Sequence, residues 1–290
     1  MIEVAPEVAD ALRSRAPVVA LETTLVAHGF PAGEGVAIGI ESAKRVRDAG
    51  AVPATVGILD GALRVGLSDS ELERFTPDAR KVGPRDLAAA VVQRAVGATT
   101  VGGTLAACRA AGIGFMGTGG IGGVHRGNRM DVSADLNELA QTEALVVSSG
   151  VKSLLDVPAT MELLETLGVP VLGFRTDELP LFYTAHGGPT VPARVGSADE
   201  AAAVARTHWQ LKRRSGLLLA QAPPRSLDDI EPLIDEALAA ADDQGVAGPA
   251  VTPFVLSFLH ERSGGRTLEV NRELVLANVE LAAQVAVAYV

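Results

Sequence analysis

Cysteine is nearly absent: Cys108 is the single thiol in 290 residues. One thiol excludes an intrachain disulfide framework and fits a reducing compartment. No Cys/His spacing of the kind that holds zinc is present either. Although 48% of the residues are hydrophobic, no apolar run approaches the roughly 20 residues that a membrane span needs. The acidic opening MIEVAPEVADALRSRA lacks the apolar centre of a secretory signal, so the expected location is the cytoplasm. Positive charge is in the minority, 25 Lys and Arg against 35 Asp and Glu, for a net charge of −10. That balance argues against broad binding to nucleic acid or anionic membranes. An anionic substrate must instead meet a few cations placed in a local pocket. There is no GKS/T phosphate loop and no complete GxGxxG followed by a ribose-binding acid. Internal repeats and low-complexity linkers are also missing, and 290 residues can bury a large core, so residues 1–290 are read as a single domain.

What the chain does have is the tract TGGIGGVHRGNRMDVSAD, Thr118 to Asp135, followed by Lys152 in SSGVKSLLD. Gly119, Gly120, Gly122 and Gly123 lack a Cβ and let backbone N–H groups come close to a bound anion. Asp131 and Asp135 can hold a hard cation, and a lysine in an apolar setting can act as a nucleophile. The combination points to chemistry on a phosphorylated carbonyl or sugar. Lys152 lies just past a buried-looking strand, where loops carry function, although a solvated surface lysine is the plainer alternative. Glu22 closes the apolar run VVALETT and reads as either a cap or a functional acid. A helical turn between Asp131 and Asp135 would put both on one side, while Ser133 or Asp135 also reads as a helix cap ahead of LNELA. Thr100 and Val101 precede Gly102-Gly103-Thr104, a turn into a helix whose free N–H groups suit a phosphate.

Short apolar segments alternate with helical ones. Strands are expected at 17–25, 112–116, 144–148, 169–174 and 216–221, with helices at 34–49, 85–96, 104–111, 136–141, 159–167 and 198–214. Residues 54–59 and 63–65 flank Asp60-Gly61, a hairpin turn signal that requires some antiparallel pairing. Two or three further helices complete the chain. The pattern predicts an α/β fold: three-layer α/β/α with a mixed, largely parallel central sheet. The stretch YTAHGGPTVP, 183–192, is the best candidate for a surface loop or lid.

Taken together, ALETTLVAHGFP (20–31), PATVGILDGALRVGL (53–67), KVGPRDL (81–87), GATTVGGT (97–104), AGIGFMGTGGIGGVHRG (111–127), DVSADLNELAQT (131–142), SSGVKSLLD (148–156), GVPVLGFRTDELPLFY (168–183) and VTPF (251–254) resemble the pseudouridine-5′-phosphate glycosidases, also called indigoidine synthase A-like proteins. The resemblance runs nearly the length of the chain, in order. It implies reversible cleavage of pseudouridine 5′-phosphate to uracil and ribose 5-phosphate. The bond broken is carbon–carbon, so protonating a leaving oxygen, the usual glycosidase solution, has nothing to act upon. The ribose ring must open, and a lysine amine can hold C1′ as an adduct that becomes an imine.

By that resemblance Lys152 is the nucleophile and Glu22 the proton donor. An attacking amine must be neutral, and a donating carboxyl must be protonated, as burial promotes. Lys81, Thr100, Val101 and Thr118 match substrate contacts, with Lys81 the cation for the phosphate. Ser133, Ala134 and Asp135 also contact substrate, and His125 lies near it. Asn271 either reaches the substrate or caps a helix. Asp131 is the implied ligand for manganese, or another divalent cation, in a weak oxygen site completed by water. A homotrimer is implied, and small molecules are the only other partners expected. Two departures from the family pattern stand out: a short loop between His125 and Asp131, and a single asparagine in LVLANVELAA where a pair is expected. Another Schiff-base enzyme of phosphorylated sugars, or a non-catalytic sugar-phosphate binder, would use many of the same residues.

Overall fold

Central parallel strands are covered on both faces and so read as unbroken apolar runs. The segment VVALE is buried at every position, and it forms a middle strand of the sheet. The computed structural model describes residues 1–126, 130–246 and 248–290. The strands in it are β1 (Ile2–Val4), β2 (Val18–Glu22), β3 (Val52–Leu59), β4 (Ala62–Val65), β5 (Arg80–Val82), β6 (Gly97–Thr99), β7 (Phe115–Gly117), β8 (Val124–His125), β9 (Leu145–Ser148), β10 (Leu155–Asp156), β11 (Val171–Phe174), β12 (Ala193–Val195) and β13 (Leu217–Gln221).

The main sheet has the order β1-β4-β3-β2-β7-β9-β13-β11-β12, with β6 also on β3 and β5 on β6. Only the β3–β4 and β3–β6 pairings in this sheet are antiparallel. The expected mixed, largely parallel sheet is therefore the observed one. Asp60 and Gly61 have φ of 54° and 83°, the left-handed pair that a two-residue hairpin demands. Helices flank the sheet. Glu34–Asp48, Ala198–Gln210 and Arg266–Tyr289 pack together, and Val101–Ala111 packs on Ala134–Gln141. The last helix touches β2, β7 and β9 directly. A Cβ on Gly117 would come within 2.7 Å of the Val279 backbone, so that crossing needs glycine.

Several boundaries differ from the expected ones. Residues 17–25 do not stay extended: β2 stops at Glu22 and Thr24–His28 is a short helix. The helix expected at 85–96 ends at Val92, and β1, β5, β6 and β12 are too short to show a period in sequence. The 183–192 stretch is not a surface loop throughout. Tyr183 is fully buried, packed edge-on against Phe182 with ring centroids 4.7 Å apart. Burying two aromatic rings outweighs the turn signals that follow them.

The β2/β7 junction positions the site. From β2 the chain builds outward through β3 and β4, and from β7 it builds the other way through β9. Ligands of open α/β sheets sit at the carboxyl ends of strands beside such a reversal. Glu22 ends β2, Thr118 follows β7, and Lys152 follows β9.

Candidate active site

The pairing of β7 with β9 continues past the sheet. Thr118 N–H donates to Val147 O, Ser149 N–H to Gly119 O, Ile121 N–H to Gly150 O and Lys152 N–H to Ile121 O. This rung-by-rung extension carries Thr118 and Lys152 into one space. Two crossing strands hold it: β8 and β10 pair antiparallel, His125 opposite Leu155. Arg126 then locks the lysine segment from outside, donating to Ser153 O at 2.7 Å and Leu155 O at 3.3 Å while pairing with Glu231 and Asp235. The HRG signature was visible in the sequence, but this bracing role was not, because its partners lie far along the chain.

The glycine tract is largely an internal joint rather than an open anion cradle. Side chains from elsewhere occupy the space its missing Cβ atoms leave. A Cβ at Gly120 would lie 2.6 Å from the Phe182 ring, and one at Gly122 would collide with Ser133. The amides of Ile121, Gly122 and Val124 are engaged by Gly150 O, Asp135 Oδ2 and Thr160 Oγ1.

Asp135 is buried and accepts from Gly102 N–H and Gly122 N–H, each at 2.8 Å. It clamps the glycine tract to the start of helix Val101–Ala111. It does not cap its own helix. Ser133 does, accepting from Asp135 N–H. Asp131 lies outside that helix, in an extended segment whose Val132 bridges to Val124, so no helical turn aligns the two aspartates. At the Val101 helix, Thr100 is the N-cap and takes Gly103 N–H. Two of the N–H groups expected to meet a phosphate are thus already engaged by Asp135 and Thr100.

Two adjoining cavities result. The larger, about 380 Å³, is lined by Glu22, Lys81, Thr100, His125, Asp131, Ser133, Ala134, Asp135 and Lys152. The smaller, about 50 Å³, is lined by Glu22, Lys81, Thr118, Lys152 and Asn271, with His28, Phe182 and Leu256. Glu22, Lys81 and Lys152 border both. Every expected site residue except Val101 therefore faces one cavity or the other. Val101 is buried at the foot of its helix.

Glu22 accepts a hydrogen bond from Thr118 Oγ1. Burial raises its pKa above the usual carboxylate value, against the opposing pull of Lys152, the Thr118 hydroxyl and Lys81, and with some help from Asp135. It is suited to hold a proton and give it up. Lys81 is pushed down, first by burial and then by the neighbouring Lys152 charge. Asn271 is not a cap: Gly265 precedes the helix, and Asn271 sits buried within it, donating to Gly29 O at 3.2 Å. Two turns further on, Asn278 gives its amide to Thr118 O, Gly119 O and Ser149 Oγ. The single asparagine of LVLANVELAA thus braces the segments leading to Thr118 and Lys152.

For a metal the donor set is sparse. Among the described residues no group of three or more His, Cys, Asp or Glu side chains converges. Asp131 is 42% exposed at the cavity rim, with Oδ2 3.9 Å from His125 Nδ1. One accessible carboxylate beside a cavity fits a hydrated, oxygen-bound divalent ion and does not fit a dedicated cage. The short loop between His125 and Asp131 includes 127–129, which lie outside the described residues.

The family model for indigoidine synthase A-like protein matches residues 7–288. The chain belongs to the indigoidine synthase A-like family. It is 47% identical to a pseudouridine-5′-phosphate glycosidase of Chloroflexus aurantiacus, over 99% of this chain and 98% of that one. A protein of the same name from a Nocardioides species is 45% identical, over 100% and 97%. Among solved structures, the prealnumycin C-glycosynthase AlnA in complex with ribulose 5-phosphate matches with a TM-score of 0.90. It is 41% identical, covering 100% of this chain and 97% of that one. An indigoidine synthase A-like protein from Thermotoga maritima also reaches 0.90 at 38% identity, over 99% and 96%. The fold of this family member is thus shared with both solved structures.

Proposed function

We propose that the chain cleaves the C-glycosidic bond of pseudouridine 5′-phosphate reversibly, giving uracil and ribose 5-phosphate through a covalent Lys152–ribose imine. The observation that carries this reading is the meeting of a raised-pKa acid, Glu22, and a lysine, Lys152, on the walls of both cavities. The names of the similar proteins support it, as does the open-chain-capable pentose phosphate in the AlnA complex.

The neutral Lys152 amine attacks C1′ while the C1′–O4′ bond breaks, and Glu22 gives its proton to the departing O4′. The attacking nitrogen then returns a proton to the Glu22 carboxylate. Its lone pair next forms the C1′=N bond, the electrons of the C1′–C5 bond go to uracil C5, and Glu22 supplies the proton there. Water adds to the imine, releasing ribose 5-phosphate and restoring the amine. Thr118 orients the Glu22 carboxyl through its hydroxyl. Lys81 takes the phosphate charge, with Thr100, Ser133, Ala134, Asp135 and His125 shaping the larger cavity around the sugar phosphate and Val101 packed behind them at the start of its helix. Asn271 serves the base. A divalent ion, manganese or a relative, would be held by Asp131 and water and would supply positive charge beside the phosphate.

No helix among the described residues is long and apolar enough to cross a membrane. The same reading carries a cytoplasmic homotrimer. Light scattering tests the assembly, with an expected mass three times that of the 29.8 kDa chain. Uracil release from pseudouridine 5′-phosphate, followed at the base chromophore, tests the activity. A different Schiff-base enzyme would bind ribose 5-phosphate covalently yet release no uracil, and a non-catalytic binder would do neither.

A further inference from the structure

His28 closes the short helix after Glu22, and its ring lines the smaller cavity beside Asn271 and Phe182. Its Nε2 lies 3.0 Å from Ala79 O. A carbonyl can only accept, so Nε2 carries the proton and Nδ1 presents a lone pair. Burial lowers the pKa of the ring and the Lys81 charge adds to this, against the opposing pull of the Ala79 and Pro77 carbonyls, so the ring is kept neutral. Nδ1 is buried and has no hydrogen-bond partner in the protein. A buried acceptor left without a donor is costly unless a ligand supplies one. The neighbouring residue, Gly29, is tied to Asn271 through its carbonyl, so the acceptor and the asparagine amide are held in register. The larger, more polar cavity takes the sugar phosphate, which leaves this smaller one for the base.

A pyrimidinedione offers two ring N–H donors, and a C-linked one keeps the N1–H that an N-linked nucleoside has given up to its sugar. We infer that His28 is a specificity-determining residue whose Nδ1 accepts the ring N1–H of the pyrimidine, so that the site reads the base by a donor only a free or C-linked uracil retains. The inference rests on the lysine-dependent reading above and deepens it. Asn271 alone would bind uracil without demanding that donor.

The test runs in the synthetic direction, with ribose 5-phosphate and either uracil, 1-methyluracil or 3-methyluracil, on wild type, His28→Ala and His28→Asn. Borohydride trapping with ribose 5-phosphate alone checks folding and lysine chemistry in each variant. The expected result is unchanged trapping in all three and a rise of about 10- to 100-fold in KM for uracil in His28→Ala, the range one buried hydrogen bond commands. His28→Asn, whose amide oxygen can stand near the Nδ1 position, recovers part of that loss. Wild type discriminates strongly against 1-methyluracil and much less against 3-methyluracil, and His28→Ala loses that discrimination. An unchanged KM for uracil in a His28→Ala protein that still traps ribose 5-phosphate overturns the inference. So does a wild type that accepts 1-methyluracil as readily as uracil, which decides the matter even if the alanine variant does not fold. Failure of wild type to trap ribose 5-phosphate would instead sink the lysine mechanism beneath it.

Discussion

Removing the Asp135 carboxylate should cost the protein its joint between the glycine tract and the start of helix Val101–Ala111. The side chain is 5% exposed and accepts two backbone N–H groups, from Gly102 and Gly122, at 2.8 Å each. Hydrogen bonds to a charged acceptor contribute about 1.5–3 kcal/mol apiece, so Asp135→Ala leaves about 3–6 kcal/mol of interaction unmade. Water entering from the larger cavity, which Gly122 and Asp135 line, can re-satisfy part of this. The expected net loss is therefore about 2–4 kcal/mol. Asp135→Asn keeps one acceptor oxygen and should lose about half as much. Urea unfolding with a common m-value measures both variants. A loss below about 1 kcal/mol for Asp135→Ala would refute the clamp. The position would then matter only through contact with substrate.

Four further outcomes follow from the geometry. The folded pKa of Glu22 lies above its unfolded value of 4.5, so between the two the folded state keeps a proton that the unfolded state has lost. Stability should fall as pH rises through that window, and Glu22→Gln should flatten the profile measured by equilibrium unfolding; an unaltered profile contradicts the shift. Arg126→Ala frees Ser153 O and Leu155 O from their donor. Stopped-flow trapping should slow about 10-fold or more, because misplacing the attacking amine raises the barrier, and an unchanged rate would remove Arg126 from the account. Lys81→Met should raise KM for pseudouridine 5′-phosphate about 10- to 100-fold while barely changing turnover of unphosphorylated pseudouridine, as the loss of a charge-assisted contact to phosphate requires. Cys108 is buried and its thiol is pushed up to about 12. A thiol reagent should therefore label it only after unfolding, and rapid labelling of the native protein would contradict its burial.

Much of this architecture is legible in local patterns. The Asp60-Gly61 turn and the apolar runs of β2, β9 and β13 each follow from a few neighbouring residues. The three-residue strands β5 and β6 escape because no period fits in so short a span. Tyr183 looked exposed because the turn residues after it dominate the local signal, while its burial depends on Phe182 packing against Gly120. At the site, Glu22, Lys152 and Lys81 border both cavities, and their roles rest on the family resemblance. The asparagines and Arg126 gain their partners only on folding: Asn278 reaches Thr118 and Ser149, and Arg126 reaches Glu231. Such long-range hydrogen bonds leave no trace in spacing. Asp135 shows the same limit, since a residue two places past a serine cap reads as helix start, and only the tertiary structure reveals that its carboxylate serves the glycine tract and the start of another helix.

The central claim is that one amine forms a bond to the pentose. Borohydride reduction of the enzyme with ribose 5-phosphate, followed by peptide mass spectrometry, tests it most directly. The account predicts a reduced pentose phosphate on Lys152 alone and no adduct in Lys152→Ala. An adduct on another lysine, or uracil release that persists in Lys152→Ala, would contradict it.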